Sequence, residues 1–149
     1  MSNAPAMDTQ QRKFLICSLN DALYAFDLAQ IAEVGDLPLI SPIPHAPAYY
    51  SGVINFHGDI VAVLHLAHFL DLPGSGTPGK LVVLNQRVAS LAFLVDSVVR
   101  ILSESEVLSG EPPGNSFATA RLSLPDGEAL LLDLDALVYG AEMGMRGEE

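Results

Sequence analysis

The sequence has a single cysteine and lacks any long uncharged apolar run. Cys17 cannot form an internal disulfide, which agrees with a reducing compartment, and we interpret it as part of the core. No apolar stretch approaches the ~20 residues that a membrane-spanning helix needs. No basic start precedes an apolar signal region either. These absences predict a cytoplasmic protein that does not insert directly into a membrane.

Positive charge is scarce, since 7 Lys and Arg stand against 18 Asp and Glu, for a formal net charge of −11. Binding to nucleic acid needs a basic face, and anionic lipid surfaces attract basic segments, so this balance argues against both partners. The shortage is also uneven. The span from Phe14 to Gly79 contains no Lys or Arg, although all four histidines of the chain lie within it.

Sequence motifs of catalysis are missing as well. There is no Walker loop, no glycine-rich dinucleotide fingerprint after a strand, no Gly-x-Ser-x-Gly elbow and no Cys-x-x-Cys pair. The acidic residues are scattered at turns, where Asp96, Asp133 and Asp135 are expected to act as caps. We therefore predict that the protein is not an enzyme and has no cofactor.

The sequence does contain an internal repeat of about 67 residues. Lys80-Leu-Val-Val-Leu aligns with Lys13-Phe-Leu-Ile-Cys, and the same offset places Leu91-Ala-Phe on Tyr24-Ala-Phe. Each copy predicts about five short strands and a final helical turn. The copies, residues 13–79 and 80–140, are each too small to be stable alone, so we expect a shared core. Residues 1–12 and 141–149 are expected to be mobile tails.

The first copy begins with two predicted strands, 13–19 and 22–27, after which Asp27 is expected to cap a helical turn. Leu28, Ile31 and Val34 follow at helix-like spacing. The apolar stretch 52–66 then predicts a strand, a tight turn and a second strand. Asn55 and Gly58 are the residues best suited to the unusual dihedrals of that turn.

This predicted hairpin resembles the signature hairpin of CheW-like domains. Gly52-Val-Ile-Asn55-Phe-His-Gly58 stands where that family has Gly-x-x-Asn-Leu-Arg-Gly, and Leu94-Val-Asp-Ser-Val98 where it has Leu-Val-Asp-x-Val. The similarity extends from Lys13 to about Tyr139. It implies a mainly β fold in which two intertwined five-stranded SH3-like barrels share a core and carry short helical turns.

The same resemblance implies a non-enzymatic adaptor that couples chemoreceptors to a CheA-type histidine kinase. In the family, one barrel docks on the regulatory domain of the kinase, and the groove near the hairpin meets the cytoplasmic tip of a methyl-accepting chemoreceptor. Swimming chemotaxis and a twitching or developmental pathway are both open. The expected partner-binding residues are Val34, Ile54, Asn55, Phe56, His57 and Gly58 on the receptor side, with Val98 and Val99 on the kinase side.

The chain departs from the family pattern at three positions. The arginine of the hairpin is His57 here, the usual proline is Ala62, and the usual aspartate is His65. An arginine offers a permanent charge and a rigid fork of donors, whereas a neutral histidine offers one donor. Either the receptor-side partner differs from the one that the family binds, or the contact relies more on apolar surface.

The histidines support one alternative, a metal- or small-ligand-binding barrel that uses His57, His65 and His68. His65 and His68 are three residues apart, but no His-Glu-x-x-His frame surrounds them. His65 also matches Asp133 in the second copy, which favours a shared role as a helix cap. We therefore predict no metal site.

Overall fold

The polypeptide folds mainly as short strands in two sheets. The structure, a computed structural model, describes residues 11–114 and 116–145, so residues 1–10 of the predicted tail 1–12 and residues 146–149 of the predicted tail 141–149 lie outside these ranges. Its strands are β1 (Lys13–Leu19), β2 (Ala22–Asp27), β3 (Ile31–Asp36), β4 (Tyr50–Phe56), β5 (Asp59–His65), β6 (Lys80–Leu84), β7 (Leu91–Val95), β8 (Ser97–Ser103), β9 (Leu108–Gly110), β10 (Ala118–Leu124) and β11 (Gly127–Leu132). Its α-helices are α1 (Leu66–Phe69) and α2 (Leu134–Met145).

Each sheet takes strands from both halves of the chain. Sheet I has the order β3-β6-β7-β5-β4, and sheet II has the order β8-β1-β2-β11-β10-β9. In each sheet two pairs join the halves. One is parallel, β5 with β7 in sheet I and β2 with β11 in sheet II, and the other is antiparallel, β3 with β6 in sheet I and β1 with β8 in sheet II. The two halves are therefore intertwined, and neither forms a purely antiparallel unit of its own.

The strand order of the two sheets is the same when the chain is shifted by the length of the predicted repeat. A shift by one repeat converts the strand order β3-β6-β7-β5-β4 of sheet I into the order β8-β1-β2-β11-β10 of sheet II. Even β9 has a counterpart, since Ser41 forms an isolated bridge with Val53 of β4, as β9 pairs with β10. At the centre, Phe26 of β2 stacks on Phe93 of β7, with ring centroids 5.8 Å apart and both residues fully buried.

The segment after β2 differs from the expectation drawn from Leu28, Ile31 and Val34. Asp27 does cap a helical turn, since its Oδ1 accepts a hydrogen bond from the Ala29 N–H at 3.1 Å, but that turn is a single 3₁₀ turn, Leu28–Gln30. Ile31 and Val34 lie in β3, opposite Leu84 and Val82 of β6. Pairing along a neighbouring strand outweighs a three-residue helical pattern, so the helix prediction is wrong here.

The C-terminal helix extends beyond residue 140. Ala141 in α2 is fully buried, and its carbonyl accepts a hydrogen bond from the Tyr50 hydroxyl at 3.0 Å. Gly140 and Gly144 allow close approach to an aromatic cluster of Tyr49, Phe69 and Phe117. Residues 141–145 therefore belong to the folded body rather than to the predicted tail. Within the described ranges, no helix has the length and apolarity needed to cross a bilayer.

Candidate functional site

Strands β4 and β5 and the turn between them form a hairpin, which we call the first hairpin. The side chain of Asn55, at the end of β4, closes its turn. The Gly58 N–H donates to Asn55 Oδ1 at 2.9 Å. The residues with positive φ are His57 at 51° and Gly58 at 90°, as a type I′ turn requires. Asn55 therefore supports the turn from the strand end, and His57 adopts the strained conformation that we expected of Asn55.

Gly52 explains the start of the hairpin motif. Its φ is 146°, and a Cβ at this position would overlap the carbonyl oxygen of Ser41. The next residue, Val53, exchanges two backbone hydrogen bonds with Ser41, at 2.8 and 3.0 Å. Glycine is thus required because the segment between β3 and β4, which contains Ser41, crosses the hairpin at this point.

The tip of the first hairpin contacts the opposite edge of its own sheet. His57 Nε2 lies 3.4 Å from Glu33 Oε1, and both side chains are more than half exposed. Glu33 belongs to β3 and His57 follows β4, which are the two outer strands of sheet I. The sheet must curl until these edges meet, which is compatible with the predicted barrel.

The predicted receptor-side residues are only partly brought together at the surface. Val34 is 37% exposed on β3, next to Glu33. Phe56 is half-buried, and its ring packs edge-on against that of His57 at 4.3 Å. Ile54, however, is only 5% exposed and belongs to the core of sheet I with Val61. A side chain buried there supports the hairpin from inside and has no surface for a partner.

Ile60 is a surface residue that sequence reasoning missed. It lies opposite Asn55 in the hairpin and is 65% exposed, on the outer face that it shares with Ala62. This face leads to a groove of about 460 Å³ between the hairpin and α2, which we call the first groove. Its lining residues are Tyr50, Ala62, Ala89, Ser90, Leu91, Val138 and Glu142.

The charges around this surface are acidic. Asp36 pairs with Lys80 at 2.7 Å, and this hydrogen bond and charge lower the pKa of the Asp36 carboxyl. Asp59, next to the turn, accepts a hydrogen bond from the Gln86 amide at 3.0 Å. Glu33 faces only His57, which carries a charge only when it is protonated. In the part of the chain that the structure describes, no Lys or Arg pairs with Glu33.

The predicted kinase-side residues lie on the other sheet. Val98 and Val99 belong to β8, the outer strand of sheet II next to β1. Val99 is 43% exposed, and Ile101 on the same strand is 52% exposed. Val98 is half-buried and packs against the central core. Of the two predicted residues, Val99 is thus the one exposed enough to contact a partner. The structure adds Ile101 to the exposed apolar residues of β8.

The three histidines of the metal alternative are not brought together. His57 and His65 lie at opposite ends of β5, which places them roughly 20 Å apart along the strand. His65 Nδ1 accepts a hydrogen bond from the His68 N–H at 3.3 Å, as the cap of α1. Within residues 11–114 and 116–145, no group of three or more His, Cys, Asp or Glu could hold a metal ion.

Comparison with known protein families gives a match that spans both halves of the chain. The family model of the CheW-like domain matches residues 13–142, which include every strand described above. The chain belongs to the CheW-like domain family. The matched range also includes the first turns of α2, so this helix is part of the CheW-like domain.

Named relatives are distant but cover most of the CheW-like chain. Chemotaxis protein CheW of Treponema pallidum (strain Nichols) is 26% identical over 114 residues, which are 72% of this chain and 67% of the relative. The probable chemotaxis protein CheW of Rhizobium etli is 26% identical over 145 residues, or 92% and 94% of the two chains. The crystal structure of the scaffolding protein TtCheW from Thermoanaerobacter tengcongensis has a TM-score of 0.71 at 20% identity, covering 83% of this chain and 89% of that chain. This last likeness concerns the fold.

Proposed function

We propose that this CheW-like chain is a non-enzymatic adaptor that couples chemoreceptors to a CheA-type histidine kinase in receptor arrays on the cytoplasmic side of the membrane. The family match over residues 13–142 carries the proposal. The relatives of Treponema and Rhizobium that bear the name chemotaxis protein support it. In this role the chain contributes binding surfaces and performs no chemistry.

The receptor side is proposed to be the tip and outer face of the first hairpin. Phe56 and His57 lie at the tip, Asn55 and Gly58 hold its turn, and Val34 is exposed on β3, whose Glu33 contacts His57. The exposed Ile60 and the adjoining first groove extend this surface with apolar area. Because the family's arginine is absent, the contact depends on this apolar area more than on a charge pair.

The kinase side is proposed to be the outer strand of sheet II. Val99 and Ile101 give β8 an exposed apolar pair, and the cation between them, Arg100, is already paired with Asp126. Typical specific interfaces bury ~800 Å² per partner and are apolar at the centre, which an edge strand and its neighbouring loops can provide. The kinase regulatory domain is the partner that we assign to it.

A crossed substitution experiment tests both assignments. Val34→Glu and Val99→Glu introduce the same charge at two residues with similar exposure, 37% and 43%. The binding of each full-length variant to a receptor signalling fragment and to the CheA-type regulatory domain from the same genome is measured by calorimetry. We expect Val34→Glu to weaken receptor binding at least tenfold with kinase binding intact, and Val99→Glu to do the converse, since an uncompensated charge is costly at an apolar contact.

The crossed design makes the outcomes distinct. If neither partner binds the unmodified chain, the adaptor function itself is wrong. If both partners bind and the two variants affect them equally or in the reverse order, the function stands and the site assignment fails. Circular dichroism of each variant confirms that the fold is retained.

A further inference from the structure

The first groove has a counterpart between the corresponding elements of the other copy of the repeat. That counterpart has a volume of about 240 Å³, and none of its described lining residues is charged. Its Tyr24 and Leu70 occupy the repeat positions of Leu91 and Val138 in the first groove. The first groove is larger, at about 460 Å³, and among its described lining residues it has one charged side chain, Glu142. The carboxylate is therefore specific to the groove beside the first hairpin.

Helix α2 brings this carboxylate to the groove. The helix α1 has four residues, whereas α2 has twelve and so continues for roughly two further turns. Ala141 is fully buried in α2, and its carbonyl accepts the Tyr50 hydroxyl at 3.0 Å, which fixes the helix against β4. Glu142 follows directly and is exposed. Its position beside an apolar lining is thus set by the packing of the residue before it.

Cations are few on this face of the molecule. Lys80 is engaged with Asp36 at 2.7 Å, and Arg87, on the loop before β7, has its Nε 3.4 Å from Asn85 Oδ1. Within residues 11–114 and 116–145, no Lys or Arg forms an ion pair with Glu142. The Glu142 carboxylate is therefore accessible to a cation that a partner supplies.

Two further carboxylates border the apolar surface that joins the groove. Glu33 precedes the exposed Val34, and Asp59 precedes the exposed Ile60. The span 14–79, to which they belong, has six Asp and Glu residues and no Lys or Arg. Because like charges repel across an interface and opposite charges attract, this surface disfavours an acidic partner and favours a basic one.

We propose that the receptor segment that binds at the first groove carries a lysine or an arginine that pairs with Glu142, next to large apolar side chains that contact Leu91 and Val138. This inference rests on the proposed receptor-coupling function. The resemblance to the family implies the opposite arrangement, in which the adaptor supplies the cation at position 57. Here His57 replaces that arginine, and the permanent charge of the adaptor surface is acidic. The charge pair between adaptor and receptor thus has reversed polarity in this system.

The test measures the binding of the full-length chain to a receptor signalling fragment encoded in the same genome, by calorimetry. Glu142→Gln removes the charge of the side chain and retains its shape. We expect this variant to bind the fragment about tenfold more weakly, because the cation of the receptor then enters the groove without a carboxylate. Binding to the CheA-type regulatory domain should not change.

Two controls separate this pair from other effects of the substitution. Glu111→Gln removes the same charge from an exposed residue after β9 and should leave receptor binding unchanged. Arg146 lies four residues after Glu142, a spacing at which charged side chains of a helix can pair. The loss caused by Glu142→Gln should therefore be measured again in an Arg146→Gln background, where we expect it to persist. Circular dichroism verifies the fold of each variant.

Substitutions in the receptor fragment identify the cation. Each Lys and Arg of its tip is exchanged for glutamine in turn. One of these exchanges should weaken binding to the unmodified chain about tenfold and have little effect on binding to the Glu142→Gln variant, since a pair that has lost one member loses nothing more with the other.

The possible results are distinct. Unchanged or tighter receptor binding by Glu142→Gln would show that the groove faces an apolar or acidic segment, which overturns the proposal and leaves the adaptor function in place. An equal loss with Glu111→Gln, a loss that disappears in the Arg146→Gln background, or the absence of a coupled cation in the receptor would overturn it as well. If the fragment does not bind the unmodified chain, the receptor-coupling function itself is wrong, and this proposal with it.

Discussion

Glu33 and Arg100 occupy the same position in the two copies of the repeat, and each contacts the turn of the hairpin on the far side of its sheet, although the two side chains have opposite charges. Glu33 on β3 faces His57 at 3.4 Å, whereas Arg100 on β8 forms an ion pair with Asp126 at 2.6 Å. The contact between the outer strand and the opposite hairpin thus occurs in both sheets, with the acidic residue on the strand in sheet I and on the hairpin in sheet II. In sheet I the residue that faces the charged side chain is a histidine, whereas in sheet II it is a carboxylate.

His57→Arg should strengthen the contact with Glu33. Arginine supplies a permanent cation and a fork of donors, so we expect the free energy of unfolding to rise by no more than ~1 kcal/mol at pH 7.5 and low salt. The gain should disappear in 1 M salt, because exposed pairs are screened. Urea denaturation measures it, and the Glu33→Gln background is the control. A gain of the same size in that background would mean that Glu33 is not the partner.

Gly144→Ala should destabilise the protein although alanine is the better helix former. A Cβ at this position would overlap the Tyr49 hydroxyl, and the Tyr49 ring is held by Phe69 at 4.9 Å. We expect a loss of about 1–3 kcal/mol in urea denaturation, as overpacking typically causes. In a Tyr49→Phe background the loss should shrink, whereas Gly114→Ala, where a Cβ meets open space, should change little. An equal loss in both backgrounds would contradict the predicted overlap.

The stability of the protein should fall steeply at alkaline pH. Burial, together with the neighbouring Tyr49 and Glu142, raises the pKa of Tyr50 from 10.0 to about 12. The unfolded chain therefore releases the Tyr50 proton from about pH 10, while the folded chain keeps it until about pH 12. Folding is thus penalised increasingly between these values and is unaffected below them.

Tyr50→Phe isolates this effect. The variant loses the hydrogen bond to the Ala141 carbonyl, so it should be less stable at pH 7, but its stability should decline less between pH 10 and 12. Thermal melts across this range compare the two slopes. Tyr24 and Cys17 also have raised pKa values, so a residual decline is expected. Identical slopes in the two proteins would exclude Tyr50 as a source.

Cys17 should be unreactive in the folded protein. It is fully buried opposite Tyr24 in β1, and burial raises the pKa of its thiol from 9.0 to about 12. The thiolate that attacks disulfide reagents is therefore almost absent at pH 8. Ellman's reagent should detect no thiol in native buffer and one thiol per chain in concentrated urea. Rapid reaction in native buffer would contradict the described packing of β1.

The sequence predicted well those features that depend on neighbours along the chain. The limits of β1 and β2 agree with the prediction because Asn20 and Asp21 adopt the positive φ values of a two-residue turn. The shared cap was also predictable. His65 Nδ1 accepts from the His68 N–H, and Asp133 Oδ1 accepts from the Ala136 N–H at 3.2 Å.

Features that depend on distant pairing were beyond sequence reasoning. Ile54 and Ile60 are alike in chemistry and six residues apart, yet the register of β4 with β5 places one inside the sheet and the other outside. The position of β3 beside β6 likewise depends on a partner almost fifty residues away.

Because the two halves exchange strands, the two proposed partner surfaces depend on the folding of the same unit. A cut in the loop between α1 and β6 would leave two pieces, neither of which holds all the strands of either sheet. Neither surface can therefore unfold while the other stays folded, and a mutation that unfolds one should abolish binding at both. Partial unfolding therefore cannot leave one proposed binding surface intact and the other lost, whereas a surface substitution such as Val99→Glu can affect one surface alone.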